Sequence, residues 1–331
     1  MNRRDFIVGL GGAAAWPLAA LAQQPVLPVV GVVAHWSADP PNAFWREQFR
    51  KGLGESGYVE GRNVSVEYHF LENQYDRAPA VMADLVRRRV AVIVPFGFTW
   101  RAAKDATATI PIVFNVANDP VKMGLVANLA RPGGNATGVT YFAGEINGKR
   151  LGLLHDLLPK AVRVAVLVDP DQGPEVQEAV RRGVAEVQEA ACSLGLQIQI
   201  FNASTIGEID TVFAALARDR PDALFVYGPS AFFSDHRAPL LTLEASHRIP
   251  ASYNTLQFVR EGGLMSYDAD TSDLNRVNGV YVGRILKGAK AADLPVVRPT
   301  KFRFNINLKT ARALGIEVPP QLLAIADRVI E

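Results

Sequence analysis

The sequence predicts an α/β protein of two doubly wound parallel-sheet lobes joined by a multi-strand hinge. Three observations carry this. Short β-branched apolar runs alternate with longer amphipathic stretches; the alternation restarts after a helix-like segment near Gly148 to Leu158; and the segment after Asp270 breaks the series. Near-continuous apolar strands separated by helices form a parallel sheet covered on both faces. Right-handed crossovers then wind each set into a layered sandwich.

In the first half the runs Val29 to Ala34, Val64 to His69, Ala91 to Pro95, Ile112 to Asn115 and Thr137 to Thr140 read as strands. Helices are expected between them at about 41–56, 75–89, 99–108 and 120–130. In the second half Val162 to Val168, Leu196 to Asn202, Ala223 to Tyr227, Pro250 to Tyr253 and Gly263 to Met265 read as strands, with helices at about 174–194, 206–218, 235–247 and 255–260. The tail then holds a helix from Asp270 to Lys287, a passage through Pro295 and Pro299, an alternating strand Lys301 to Asn307, and a helix pair split by Pro319 and Pro320. Such a tail returns to the first lobe and crosses once more. Lobe 1 is therefore expected to span 28–144 plus about 268–298, and lobe 2 145–267 plus about 299–331. A chain of 331 residues is long for one core and comfortable for two.

Arg3 and Arg4, the apolar stretch Val8 to Ala15 and the small-residue end Ala20-Leu21-Ala22 read as a cleavable export signal over residues 1–22. The adjacent arginines followed by Asp5, Phe6 and Ile7 resemble a twin-arginine signal. The expected product is a periplasmic, freely diffusing monomer without a lipid anchor, since no cysteine sits at the cleavage point. No later apolar run approaches the roughly 18 residues that cross a bilayer, which excludes a permease. Cys192, the single cysteine, cannot form an internal disulfide and is expected to be a buried thiol. The formal net charge of +2 argues against nucleic acid, which calls for a concentrated basic face. The runs Arg87 to Arg89 and Arg181-Arg182 read as solvated helix faces.

Ligands of open α/β sheets bind beyond the carboxyl ends of the strands, and there the sequence places its unusual residues. Strand one exits into His35-Trp36-Ser37, where Trp36 either packs on the rim or stacks on a ligand. Strand three exits through Gly97 and Phe98 to Thr99, read as a helix N-cap whose free amides suit a carboxylate. After strand four, Asn118 precedes Asp119, a cap before Pro120 or a partner for an ammonium group. In the second half Asp169 to Gly173 reads as a strand-to-helix turn rather than a calcium loop. Tyr227 with Ser230, Tyr253, and Ser266 with Tyr267 offer aromatic faces and hydroxyls at successive strand ends. Many aromatics, hydroxyls and amides with few charges suit a small uncharged or zwitterionic molecule with an apolar or aromatic body.

Searches for catalytic patterns return no dinucleotide or phosphate-cradling glycine motif, no Gly-x-Ser-x-Gly elbow, and no i, i+4 pairing among the five histidines. No catalytic residue, metal or cofactor is therefore expected. A binding protein is favoured over an exported α/β enzyme.

Nearly the whole chain resembles the exported ABC-transporter substrate-binding proteins related to the tryptophan-binding component, a branch of the type I periplasmic binding fold. The resemblance is carried by RRDFIVGLGGAAAWPLAALAQQ, GYVEGRNVSVEY, IPIVFNVANDPVKMGLVANLARPGGNATGVT, GGLMSYDAD and PTKFRFNINLKTARALGIEVPPQLLAIAD. It implies a hinged clamshell that closes on one small molecule and docks to ABC permease subunits at the membrane. By position it places Phe98, Thr99, Asn118, Asp119, Tyr253, Ser266 and Tyr267 at the cleft. The Gly97 to Trp100 turn departs from the smaller Gly-Thr-Pro-like turn of many relatives, which puts the pocket's shape in doubt. The alternative is a periplasmic sensor feeding a receptor kinase.

Overall fold

Val29–Ala34 (β1) is apolar on both of its faces. Val30, Val32 and Ala34 point into one cluster with Phe49 and Val282, and Val33 into another with Leu85 and Phe114. Such a strand is stable only inside a sheet covered on both sides. The computed structural model describes residues 27–36, 43–72, 74–141, 143–170, 174–228 and 230–331; the segment 1–22 read as an export signal, Ser37, Asp171 to Gly173 and Pro229 lie outside the described residues.

The first sheet has the order β2-β1-β3-β4-β5, all parallel, from β1, Ser65–Phe70 (β2), Val92–Pro95 (β3), Ile112–Val116 (β4) and Ala136–Thr140 (β5). Between its strands run Ala43–Glu55 (α1), a 3-10 turn Tyr75–Arg77, Ala78–Arg87 (α2) and Thr99–Ala106 (α3). The chain then crosses to Ala143–Leu157 (α4). It continues as Arg163–Val168 (β6), Pro174–Ser193 (α5), Gln197–Asn202 (β7), Ile206–Asp219 (α6), Ala223–Val226 (β8), Ala231–Asp235 (α7), Arg237–His247 (α8), Ala251–Tyr253 (β9), Leu256–Arg260 (α9) and Met265–Ala269 (β10). Strand faces alternate here as in the first sheet. Val164, Val166 and Val168 bury against α4 and α5, and Ala165 and Leu167 against α6 and α8. A capping box holds α6 at its start: the Thr205 hydroxyl accepts from the Glu208 amide, and Glu208 accepts from the Thr205 amide.

A second crossing after β10 returns the chain to the first lobe as Thr271–Leu286 (α10), which packs on α1, β4 and β5. Val297 then bridges Val139 of β5, and the third crossing leads to Phe302–Asn307 (β11), Leu308–Leu314 (α11), Pro320–Ile325 (α12) and Arg328–Ile330 (β12). The second sheet has the order β12-β11-β10-β9-β8-β6-β7, with β11 antiparallel to β10. The two lobes are joined by three crossings, and Arg298 at the third ion-pairs with Glu145 of α4.

The structure corrects several expectations. No helix covers 120–130: Asp119 accepts from the amides of Val121 and Lys122, and the turn is broken where Gly124 enters the left-handed region at φ +71°. Leu125 and Val126, whose spacing suggested a helix, are buried as loop residues. Thr99 is the first helical residue and not the cap, which is Phe98 without a side-chain cap bond. The expected strand at Gly263 to Met265 runs instead from Met265 to Ala269, because antiparallel β11 pairs with all five residues. Helix 235–247 is split at His236, and β12 was not foreseen. Cys192 is exposed on α5, not buried. The arginine runs are solvated faces: Arg87 and Arg88 pair with Asp84, and Arg181 and Arg182 with Glu178.

Candidate functional site

The strands of the first sheet, and β6 to β10 of the second, are each parallel, so their carboxyl ends form one rim per lobe. The rims confront each other. Tyr75, in the 3-10 turn after β2, lies close enough to Asp169, at the exit of β6, for the carboxylate to help burial push the phenol pKa up.

The lobe 1 wall is aromatic. His35 stacks on Tyr75 with centroids 5.6 Å apart at 19°, and Phe98 meets Tyr75 edge-on at 6.4 Å. Gly97 makes this possible: at φ +60° it lets the strand turn, and an added Cβ there would fall 2.8 Å from His35 Nδ1. Burial lowers the His35 pKa to about 4, so the ring is neutral at physiological pH. Trp36 packs edge-on against His35, Phe96 and Trp45, a rim contact within its own lobe. Asn118 receives the Thr140 hydroxyl on its backbone carbonyl, leaving its side chain half-exposed at the rim. The Asp119 carboxylate is engaged by its turn amides. Thr99 is buried, and its hydroxyl donates to the carbonyls of Val33 and Phe96.

The lobe 2 wall is polar. Asp169 is buried at 4% exposure, with Ser204 Oγ donating to Oδ1 and Ser230 Oγ to Oδ2, both at 2.6 Å. Ser230 is also the N-cap of α7, accepting from the Phe233 amide, so its hydroxyl positions Asp169. Asp268 stands near the end of β10, where burial raises its pKa to about 7 although the Leu256 amide and the Arg150 charge favour the ionised form. Arg150 on α4 is fully buried. Its Nη2 donates to the Val226 carbonyl at the end of β8, its guanidinium lies 3.9 Å over the Phe225 ring, and Nε and Nη1 have no hydrogen-bond partner among the described residues. Burial lowers its pKa to about 9. Tyr227 reaches past it to α5, where an added Cβ at Gly183 would lie 1.8 Å from the phenol oxygen.

Three foreseen residues face elsewhere. Tyr253 is fully buried, stacked on Phe258 at 4.5 Å, with its hydroxyl bonded to Glu244. Strand alternation turns it into the α6 and α8 core. Ser266 is buried and accepts from Asn305 Nδ2. Tyr267 stacks on Phe302 at 5.8 Å, toward the hinge. Conversely, Tyr75 and Arg150 were not singled out from the sequence, Asp169 was read only as part of a strand-to-helix turn, and Asp268 stood at a strand end beside Ser266 and Tyr267. A signal existed for Arg150, which interrupts the apolar stripe Ile146, Leu153 and Leu157 at helical spacing.

Burial pushes the Glu244 carboxyl well above its ordinary range. A raised folded-state value gives stability that is complete below about pH 4.5 and is lost as pH rises through the folded value. Glu244→Gln is expected to remove this loss, so denaturant midpoints of the variant and wild type should diverge as pH is raised from 5 to 9, the variant staying higher. Parallel midpoints would show that Glu244 is ionised in the folded protein.

Two parallel-sheet lobes joined by three crossings, with strand exits facing across one gap, define a clamshell solute-binding protein. The chain belongs to the ABC transporter substrate binding protein family, whose profile matches residues 29–330. It is 25% identical over 280 residues to a tyrosine-binding protein of Clostridioides difficile (strain R20291), covering 82% of this chain and 76% of that protein. Among solved structures it resembles an ABC domain in complex with L-Trp from Streptococcus pneumoniae, with TM-score 0.79 and 25% identity, covering 92% of this chain and all of that one. A conserved domain protein of Vibrio cholerae shares the fold at TM-score 0.80 and 23% identity, covering 92% of this chain and all of that one. Among the described residues no helix is long and apolar enough to cross a membrane, and no group of three metal-ligating side chains occurs.

Proposed function

We propose that this protein captures a small amino acid with an aromatic or other apolar side chain outside the cytoplasm and delivers it to an ABC permease by lobe closure. The observation that carries the reading is the pairing of opposite walls: His35, Tyr75 and Phe98 on one lobe, Asp169 and Asp268 on the other. An aromatic side chain stacks on the first wall, and an ammonium group satisfies a carboxylate of the second. The Arg150 charge behind Asp268 moderates that carboxylate without entering the gap. A ligand touching both walls favours the closed state by its differential affinity for it. Relatives bearing the names of tyrosine and tryptophan complexes support an aromatic amino acid in particular.

The test is a thermal-shift screen over amino acids and the acids that lack their ammonium group, followed by calorimetry on each hit. A ligand at 100 times its Kd adds about 2.7 kcal/mol to stability, which moves the melting temperature by several degrees. L-Tyrosine and L-tryptophan are expected among the hits, and phenylpropionate, which lacks the ammonium, should not displace L-phenylalanine. Displacement of L-phenylalanine by phenylpropionate at comparable concentration would remove the carboxylates from the recognition.

A further inference from the structure

On the flank of the hinge where α4 begins lies a cavity of about 170 Å³, lined among others by Tyr141, Glu145, Ile146, Lys149, Tyr267, Arg298 and Phe302. None of the residues assigned above to the facing walls lines it. Tyr141 leaves β5 and bonds through its hydroxyl to Asn115 of the first sheet, and Arg298 follows the Val297 bridge to that sheet. Ile146 and Lys149 belong to α4, and Tyr267 of β10 stacks on Phe302 of β11, two positions along the ladder from its register partner Phe304. The walls are thus contributed by both lobes, and the cavity's shape depends on the angle between them.

Its chemistry is that of a site for a flat anion. The parallel rings of Tyr267 and Phe302, 8° apart, offer an aromatic surface. Arg298 is engaged by both oxygens of Glu145, at 3.0 and 2.8 Å, while Lys149 has no ion-pair partner among the described residues. Lys149 brings a positive charge to the wall beside the rings. The space matches the cavities of about 150 Å³ that accept a benzene ring.

We infer that this cavity is a second, regulatory site for a small aromatic carboxylate, its ring against Tyr267 and Phe302 and its carboxylate on Lys149 and Arg298. A ligand that fills the cavity stabilises the lobe angle at which the cavity exists. That angle is the one at which Tyr75 lies within electrostatic reach of the Asp169 carboxylate. Occupancy of the hinge site therefore raises affinity in the gap, and by linkage a gap ligand tightens the hinge site by the same factor.

Benzoate is the probe. Titrated into the full chain by calorimetry, it is expected to bind at one site. Lys149→Met and Phe302→Ala should each weaken it at least tenfold, and Asp268→Asn should leave it unchanged; benzyl alcohol, with the same ring and no charge, should not bind. Saturating benzoate should lower the radius of gyration of the ligand-free protein in small-angle scattering and tighten L-tyrosine at least threefold, both effects vanishing in Phe302→Ala. Benzoate that fails to bind, that binds Lys149→Met and Phe302→Ala normally, or that displaces L-tyrosine one for one overturns the inference. The coupling to L-tyrosine rests on the function proposed above. If L-tyrosine does not bind, that function fails, while benzoate binding and the scattering change still decide the hinge site.

Discussion

Asp268→Asn is expected to weaken L-tyrosine or L-tryptophan binding by roughly 30- to 1000-fold, the loss of 2 to 4 kcal/mol that follows from removing one partner of a desolvated charge pair. The empty protein should at the same time become more stable at pH 8. The two effects have opposite signs for one reason: burial makes ionised Asp268 costly until an ammonium group neutralises it. Because its folded-state pKa lies near 7, above the ordinary 3.8, its contribution to stability is full below about pH 3.8 and lost as pH rises through 7. Ligand affinity runs the other way. The carboxylate must be ionised to hold the ammonium, so affinity should fall as pH drops below 7, approaching tenfold per unit, and this fall should vanish in the variant. Calorimetry from pH 5.5 to 8.5 on both proteins checks it. The charges around Asp268 are Arg150, Asp270 and Arg303; Asp270 is pushed down and Arg303 up, away from the window, and Arg150, lowered to about 9, starts to titrate only at its alkaline end. An unchanged affinity and pH profile in Asp268→Asn would take that residue out of the site.

The architecture was legible because its signals are local. Strands such as β1 and β6 announce themselves as apolar runs buried on both faces, and the tail's proline-marked passage announced the return to the first lobe. The site was less legible, because which way a side chain points depends on strand limits that only pairing fixes. Met265–Ala269 is a strand because β11 runs antiparallel beside it, and that partner turns Ser266 inward and Tyr267 toward the hinge. Tyr253 and Ser252 differ by one position and face opposite sides of the sheet. Tyr75 and Asp169 lie far apart in the chain and acquire meaning only when the rims meet. The turn at 120–130 misled for a related reason: its apolar spacing is helical, but the left-handed glycine breaks the ladder.

The second large effect concerns the helix that returns between crossings. α1 and α10 approach so closely that each presents a glycine to the other's backbone. A Cβ on Gly279 would fall 2.0 Å from the Phe49 carbonyl oxygen and 2.7 Å from the Leu53 amide, and one on Gly52 would fall 1.8 Å from the Arg276 carbonyl oxygen. Backbone cannot rotate away as a side chain can, so the helices must separate along their contact. That opens the cluster of Phe49, Leu53, Val282 and Ile285 between them. Gly279→Ala is therefore expected to destabilise by about 3 kcal/mol, the upper end of overpacking costs. Because α10 lies between the two later crossings, ligand affinity should fall with it. Gly152→Ala supplies the contrast. It makes the same chemical change inside α4, where nothing lies within 4 Å of the added carbon, and removing glycine from a helix interior stabilises by up to about 1 kcal/mol. Urea unfolding of the two variants beside wild type should thus give midpoints on either side of it. If Gly279→Ala unfolds at the wild-type midpoint, the two helices are not in backbone contact, and the return segment does not hold the crossings where the structure places them.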